Sequence, residues 1–370
     1  MKILLTGGGT AGHVTPALAI AEIFRRNDPG TEILFVGTPA GMERHLAEEA
    51  GLPYYPIRVM GLRRTVTPRN LYALYLAIRS PLEAKRLLKK AHPDLVIGTG
   101  GYVCWPTLSA AASLGIPTAL HESNALPGLT VRRLAGRVDL LLLNFAEAQK
   151  RLPQTKECLH VGNPLRGGFY ALSRAEARER LSIPGEARVI LSFGGSLGAE
   201  AINRAILDLW EDFAIKSETV FHIHGTGRRY FDAFREEVQR RFGDLPHRLQ
   251  YREYLKDMGT LMAAADLIVC RAGAMTVSEV ARMGRASILI PSPHVAENHQ
   301  ERNAEALSAL GAAQLIPERS LTRSSFVAAV GRILGDSELR ASMESAVGRF
   351  DHPDANKRIY EALCRLIKNQ

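Results

Sequence analysis

Short apolar runs alternate with amphipathic stretches along the whole chain. Residues 3–5 (Ile-Leu-Leu) open it as a strand. Val14, Leu18, Ala21 and Ala17, Ile20, Phe24 then recur at helical spacing. In the first half, further strands are expected at 33–36, 54–59, 94–98, 117–120 and 140–144, with helices at 42–50, 69–90 and 107–114. After a Gly- and Pro-containing segment, 162–168, the pattern starts again. Strands are expected at 188–193, 220–224, 248–254, 267–271 and 287–291, with helices at 199–209, 258–264, 275–283 and 298–310. Three more helices, 324–334, 337–347 and 353–368, close the chain. Apolar strands separated by helices predict parallel, doubly wound sheets. The expected fold is α/β, with two Rossmann-like doubly wound domains facing across a cleft. Their expected bounds are 1–162 and 163–349, with a C-terminal helix in 350–370 packing back on the first.

Glycine clusters fall where strands run into helices. Gly7, Gly8, Gly9 and Gly12 follow the first strand, and Pro16 is expected in the first turn of the helix after it. Such a turn lets backbone N–H groups approach an anion. Glycines 7, 9 and 12 match G-x-G-x-x-G, but a dinucleotide site also needs an acid at the end of the next strand. Gly37-Thr38 stands there instead, so the loop reads as a phosphate or sugar loop. Segments 6–13, 99–102 and 121–124 all end first-half strands, the edge at which such sheets bind ligands. Second-half counterparts are 194–198, 225–227 and 272–274.

Composition narrows the class. With 370 residues, 46% hydrophobic and 23% charged, the chain has material for two cores. Cys104, Cys158, Cys270 and Cys364 are scattered, which fits a reducing compartment and argues against a disulfide framework or zinc knuckle. No apolar run reaches the ~18 residues of a spanning helix, and the first residues do not read as a signal peptide. A cytoplasmic protein is expected. The net charge of +9 suggests an anionic partner. From Arg58 to Lys90 there are nine basic residues and one acid, leaving that stretch at +8. Within it Leu71, Leu74, Tyr75, Ile78 and Leu82 share one helical face, with Tyr72 and Leu76 off it toward Arg79. Periodicity alone favours a core-facing helix with a solvated basic side. The alternative is a patch for anionic lipid, formed by Tyr72, Leu76, Arg79, Lys85, Arg86 and Lys89. No Asp-x-Asp pair occurs, so no metal and no cofactor are expected.

Seven segments then occur in a telling order: 8–13 (GGTAGH), 100–102 (GGY), 121–124 (HESN), 162–166 (GNPLR), 194–199 (GGSLGA), 271–279 (RAGAMTVSE) and 299–304 (HQERNA). Together they resemble the MurG family of UDP-N-acetylglucosamine transferases, which make the last cytoplasmic peptidoglycan precursor. The resemblance spans essentially the whole chain and implies the glycosyltransferase B architecture. It implies inverting transfer of N-acetylglucosamine to the 4-hydroxyl of N-acetylmuramoyl-pentapeptide diphospho-undecaprenol (lipid I). The first domain would then hold the acceptor and the second UDP-N-acetylglucosamine. Implied partners are lipid I, the anionic cytoplasmic face of the membrane and cell-wall machinery proteins, with no nucleic acid.

The resemblance also implies roles. Ser196 would meet the diphosphate, Glu279 the ribose hydroxyls, the Leu255 backbone the uracil, and Arg166 the nucleotide. Gln300 and Asn124 would contact the N-acetylglucosamine. Thr10, Ala11 and Gly12, and Ala274, Met275, Thr276, Val277 and Ser278, would also touch the donor. Gly100, Gly101 and Tyr102 would form the acceptor loop. His13 lies near a helix N-terminus, a position that keeps an imidazole neutral, as a general base requires. It would deprotonate the acceptor hydroxyl, cap the helix or bind the acceptor phosphate, and Glu122 is the rival base. Cys104-Trp105-Pro106 stands where the family commonly has Ser-Gly-Pro, so an indole adjoins the acceptor loop in place of a glycine. His299 stands where some members carry Gln. Rival readings are a transferase acting on diacylglycerol or a small aglycone, a UDP-N-acetylglucosamine 2-epimerase, and a non-catalytic UDP-sugar-binding module.

Overall fold

The computed structural model describes residues 1–61, 68–169, 172–295 and 298–368; Arg63 and Arg64 of the basic stretch lie outside them, as does the Arg69 side chain. The chain divides into two compact units, Met1–Arg166 with His352–Gln370, and Gly167–Asp351.

The first unit runs β1 (Lys2–Thr6), α1 (Ala11–Asn27), β2 (Glu32–Gly37), α2 (Met42–Glu49), β3 (Tyr54–Pro56), α3 (Pro68–Ala91) and β4 (Leu95–Gly98). It continues with α4 (Cys104–Ser113), β5 (Thr118–Glu122), α5 (Leu129–Leu134), β6 (Leu140–Leu143) and β7 (Glu157–His160). Its seven strands lie parallel in the order β3-β2-β1-β4-β5-β6-β7. Side chains alternate across a strand, so β1 feeds two cores. Ile3 and Leu5 pack with Val14, Ile20 and Phe24 of α1, while Leu4 packs with Leu88 and Leu108 on the other face.

The second unit runs α6 (Arg174–Arg180), β8 (Arg188–Phe193), α7 (Glu200–Leu209), β9 (Val220–Gly225), α8 (Phe231–Phe242), β10 (Leu249–Arg252) and α9 (Met258–Ala264). Then come β11 (Leu267–Cys270), α10 (Ala274–Met283), β12 (Ala286–Leu289), α11 (His299–Ala309), β13 (Ala313–Leu315), α12 (Arg323–Gly335) and α13 (Ser337–Gly348). Its six-stranded parallel sheet has the order β10-β9-β8-β11-β12-β13. The last helix, α14 (Ala355–Lys368), packs Ile359 and Leu363 into the first unit's core, with Tyr360 edge-on to Phe24.

Several expectations need correction. The first unit ends at Arg166, not at 162, because Leu165 exchanges two hydrogen bonds with Asn356 of α14: its N–H donates to Oδ1 at 3.0 Å and its carbonyl accepts from Nδ2 at 2.7 Å. The second ends at Asp351, not at 349, where Arg282 holds the Asp351 carboxylate at 2.9 Å. Pro16 lies in the second turn of α1, since the helix starts at Ala11.

The largest correction concerns α3. The face expected to meet the core is exposed: Leu71 74%, Ile78 70% and Leu82 61%, with Leu74 and Tyr75 also exposed. The buried stripe is Ala73, Leu76, Ser80, Ala84 and Leu88. Helical periodicity says only that a face is apolar. Here the stripe with small residues lies against the protein, where backbones can approach closely, and the bulky face is left over. Leu76 therefore belongs to the core and not to the lipid patch. No helix among the described residues is long and apolar enough to cross a membrane.

Candidate active site

In the first unit β4, β1 and β2 are neighbours, and β5 lies beside β4, so the loops after β1, β4 and β5 meet at one edge of the sheet. Thr10 precedes α1 in extended conformation without capping it through its side chain. His13 falls in the first turn. Its Nδ1 lies 3.2 Å from the Gly8 carbonyl and 3.1 Å from Thr10 Oγ1. A carbonyl only accepts, so Nδ1 carries the proton, and in a neutral imidazole the lone pair then sits on Nε2. The Thr99 hydroxyl donates to the His13 carbonyl at 2.6 Å. Gly100, at φ +102°, lies so close that a β-carbon there would come within 2.7 Å of His13 Cδ2. Gly101 is equally confined, 2.1 Å from such an atom to the Gly8 oxygen. The acceptor-loop glycines thus form the wall against which His13 is seated, with half-buried Tyr102 beside Gly9.

The loop's N–H groups are not all directed to solution. Glu43 of α2 is fully buried and accepts from the Thr38 N–H at 3.0 Å, the Thr38 hydroxyl at 2.5 Å and the Gly9 N–H at 3.4 Å. An acid therefore underlies the Gly8-Gly9 turn, which fits a sugar or hydroxyl better than a phosphate. Ala11 and Gly12 open α1 beyond it, Gly12 exposed.

Glu122 is 3% exposed. One carboxylate oxygen accepts from the Asn124 N–H at 2.9 Å and its side-chain amide at 3.0 Å; the other accepts from the Gly128 N–H at 3.1 Å. Burial pushes its pKa up, against the pull of these bonds. With both oxygens bonded to the loop that follows, Glu122 fixes the position of Asn124 and is badly placed to receive a substrate proton. Neither does Asn124 cap a helix; Gly128 holds that place before α5. Arg166 closes the unit with its Nε 3.4 Å from Glu22 of α1 and its side chain largely exposed.

In the second unit, β8 and β11 are adjacent and each ends in a glycine turn. After β8, Gly195 and Gly198 adopt positive φ, +91° and +86°, and Ser196 stands exposed at the tip. After β11, Gly273 precedes α10 with no side-chain cap. Ala274, Met275, Val277 and Ser278 turn their side chains inward, so their backbone is what a ligand at this end would meet, with Thr276 half-buried. An uncapped helix start presents N–H donors and the positive end of the dipole. Glu279, half-buried on α10, makes no hydrogen bond or ion pair among the described residues, and burial pushes its carboxyl up to about 7. Leu255 is buried against Gly225, and its backbone N–H and carbonyl are unpaired among the described residues. The Gln300 oxygen accepts from the Ser292 N–H at 2.9 Å, which leaves its amide donors pointing elsewhere. Among the described residues no three His, Cys, Asp or Glu side chains lie together as a metal site.

The glycosyltransferase family 28 N-terminal domain matches residues 3–141 and the family's C-terminal domain residues 189–359. A protein of Acetivibrio thermocellus named UDP-N-acetylglucosamine--N-acetylmuramyl-(pentapeptide) pyrophosphoryl-undecaprenol N-acetylglucosamine transferase is 39% identical over 100% of this chain and 99% of its own length. The chain belongs to glycosyltransferase family 28. Among solved structures, Acinetobacter baumannii MurG is similar, with a TM-score of 0.78 at 28% identity over 98% of this chain and 99% of its own. A putative UDP-N-acetylglucosamine 2-epimerase from Listeria monocytogenes has a TM-score of 0.71 over 100% of this chain and 97% of its own; at 14% identity it shares the fold alone.

This family 28 chain also contains parts that sequence reasoning missed. Behind the Ser196 turn runs a buried polar chain. The Trp210 Nε1–H donates to His222 Nδ1 at 2.8 Å, and His222 Nε2 lies 2.7 Å from Ser192 Oγ. Ser192 Oγ is 2.7 Å from His224 Nδ1, and His224 Nε2 is 3.1 Å from Asn203 Oδ1. The Asn203 amide then donates to the Thr226 carbonyl at 3.1 Å. An indole only donates, so one proton assignment satisfies every link, each N–H or O–H donating to the next group. Burial keeps both histidines neutral, His224 pushed down to about 3. The chain ends at the turn that braces the candidate phosphate loop: a β-carbon at Gly198 would lie 2.1 Å from the Thr226 oxygen. Arg228, next in that turn, donates its N–H to the Ser196 carbonyl at 3.2 Å and holds its guanidinium 5.5 Å from the Tyr254 ring centroid, beside Leu255. The paired histidines of the 220–225 strand were the one signal available for this network. Nothing in the pattern marked Arg228.

Proposed function

We propose that this chain moves N-acetylglucosamine from UDP-N-acetylglucosamine to the 4-hydroxyl of N-acetylmuramoyl-(pentapeptide)-diphospho-undecaprenol, with inversion at the anomeric carbon. The observation that carries the reading is the end-to-end match to a transferase named for that donor and acceptor.

The second unit holds the donor. Glu279 accepts hydrogen bonds from the ribose hydroxyls, which fill an otherwise unpartnered carboxylate. The Leu255 backbone pairs with uracil. The Ser196 turn and the α10 N-terminus take the diphosphate, and Gln300, its oxygen already bonded, donates its amide to the sugar. Helix ends and Arg228 offset the charge that grows on the departing UDP, without a metal. Arg166, with its long contact to Glu22, exchanges that acid for the nucleotide. The first unit holds the acceptor along Gly100–Tyr102. His13, its Nδ1 proton donated to Gly8, receives the 4-hydroxyl proton on Nε2 as the oxygen attacks the anomeric carbon. Glu122 orders Asn124 for contact with the transferred sugar and Thr10–Gly12 line the same site.

The acceptor's polyprenyl tail stays in the bilayer, so the protein works at the cytoplasmic membrane surface, where cell-wall machinery proteins would meet it. The exposed face of α3 suits that surface. Leu71, Tyr72, Leu74, Tyr75, Ile78 and Leu82 offer apolar contact. Arg79, Lys85, Arg86 and Lys89 make no ion pair among the described residues, so their charge is available to anionic lipid, at about 1 kcal/mol each near the surface.

Purified protein incubated with UDP-N-acetylglucosamine, lipid I and EDTA tests the reading. The lipid product should gain one N-acetylhexosamine by mass. Isomerisation of the sugar nucleotide without acceptor would point to an epimerase instead.

A further inference from the structure

Pro81 interrupts the hydrogen-bond ladder of α3. A proline has no N–H, so the carbonyl four residues earlier, that of Ala77, loses its helical donor. Trp105 of α4 supplies one: its Nε1–H donates to the Ala77 oxygen at 3.0 Å. Arg137 holds the indole from another side, its guanidinium 5.7 Å from the ring centroid.

The bond falls at a junction. On both sides of Pro81, α3 buries one stripe, Ala73, Leu76 and Ser80 before it and Ala84 and Leu88 after it, and exposes another, Leu71, Tyr72, Leu74, Tyr75 and Ile78 before it and Leu82 after it. Helices bend at prolines. The indole therefore grips α3 where its ladder is broken, in the middle of the helix that carries the exposed apolar face. Trp105 is also the second residue of α4, whose first, Cys104, is fully buried with its thiol 3.0 Å from the carbonyls of both Thr6 and Gly100. Gly100 is the residue that packs on His13. A continuous path of contacts thus leads from α3, with its exposed face, to the acceptor loop. Near it, the buried hydroxyls of Ser80 on α3 and Thr107 on α4 have no hydrogen-bond partner among the described residues. Such a contact surface forfeits little when it shifts.

We propose that Trp105 is a positioning residue through which contact of α3 with a lipid surface sets the acceptor loop and His13. The inference rests on the membrane role of α3 proposed above. In this proposal a shift of α3 before Pro81 moves the Ala77 carbonyl, the indole follows it, and the start of α4 carries Gly100.

The test compares kcat/KM for a short-chain, soluble acceptor with and without vesicles of phosphatidylglycerol and phosphatidylcholine. For the wild type we expect vesicles to raise it roughly fivefold, as when a loop competent in about a fifth of molecules becomes fully competent. Trp105→Phe keeps the ring but removes the N–H. It should bind vesicles as the wild type does, yet show no stimulation. Pro81→Ala in the Trp105→Phe background returns an N–H to Ala77, so the melting temperature should recover while the stimulation stays absent. Stimulation that survives Trp105→Phe, or returns with the double variant, overturns the proposal, as does a wild type that binds vesicles and is not stimulated. A wild type that transfers no sugar, or transfers sugar but does not bind vesicles, refutes the underlying reading instead.

Discussion

The glycine turns of the two units look alike in sequence and differ in what their polar groups do. In the first unit the side chains around the turn already have partners. His13 is seated against Gly100 and bonded to Gly8, Glu43 holds Thr38 and Gly9, and both oxygens of Glu122 are taken. In the second, Glu279 has no partner among the described residues, Ser196 is exposed and α10 starts uncapped. The first arrangement holds an imidazole in one orientation. The second leaves the Glu279 carboxylate without a partner among the described residues, which suits a ligand that completes it. Strand-turn-helix patterning alone does not distinguish a preorganised site from one with an unpartnered group; the hydrogen-bond inventory does.

The largest effect should come from the preorganised side. His13→Ala should lower kcat by roughly 10²-fold or more with donor affinity near normal, as measured by steady-state transfer and UDP calorimetry. A near-normal kcat would place the base elsewhere. In the second unit, Glu279→Ala removes a charge-assisted contact worth about 2 kcal/mol, so UDP should bind roughly 30-fold more weakly.

The same carboxylate sets two pH dependences, one for binding and one for stability, and the second has the opposite sense to that of an ion-paired acid. Burial raises its pKa to about 7 in the free protein, and in the proposed donor complex the ribose hydroxyls donate to the ionised form. UDP affinity should therefore be full above pH 7 and fall below it towards the roughly 30-fold loss of Glu279→Ala, a dependence that Glu279→Gln abolishes. Ionisation in the folded state carries a cost that is absent below the ordinary carboxylate pKa and complete above about 7. Glu279→Gln should accordingly raise the melting temperature more at pH 8 than at pH 5.

A smaller, severalfold effect is expected from changing Arg79, Lys85, Arg86 and Lys89 together to Gln. Wild-type binding to anionic vesicles should weaken as salt shortens the Debye length from about 8 Å, and the variant should bind more weakly and respond less to salt. Transfer to the full-length lipid should fall, while transfer to a short-chain analogue is spared. Equal losses on both acceptors would assign these residues to the fold or the site.

Much of the architecture was legible because apolar strand runs and glycine punctuation are local signals. Residues 188–193, 267–271 and 275–283 needed no tertiary information. The half-buried edge strands β7 and β13 and the mostly polar α8, which buries Phe234 and Val238, carry a weaker pattern and were missed. On α3 the pattern was read correctly and the side wrongly, because which of two apolar stripes meets the core depends on the close approach allowed by Ala73, Ser80 and Ala84. Glu122 looked like a base for a similar reason. Its sequence position next to a cluster said nothing of the N–H groups of Asn124 and Gly128 that fold back on it.

The division of labour between the units is tested most directly by initial rates of N-acetylglucosamine transfer to lipid I across a wide range of UDP-N-acetylglucosamine, for the wild type, His13→Ala and Glu279→Ala. Saturating donor should restore most of the Glu279→Ala rate and leave His13→Ala at a low plateau. The contrary result, a His13→Ala variant rescued by donor beside a Glu279→Ala variant that is not, would contradict the account.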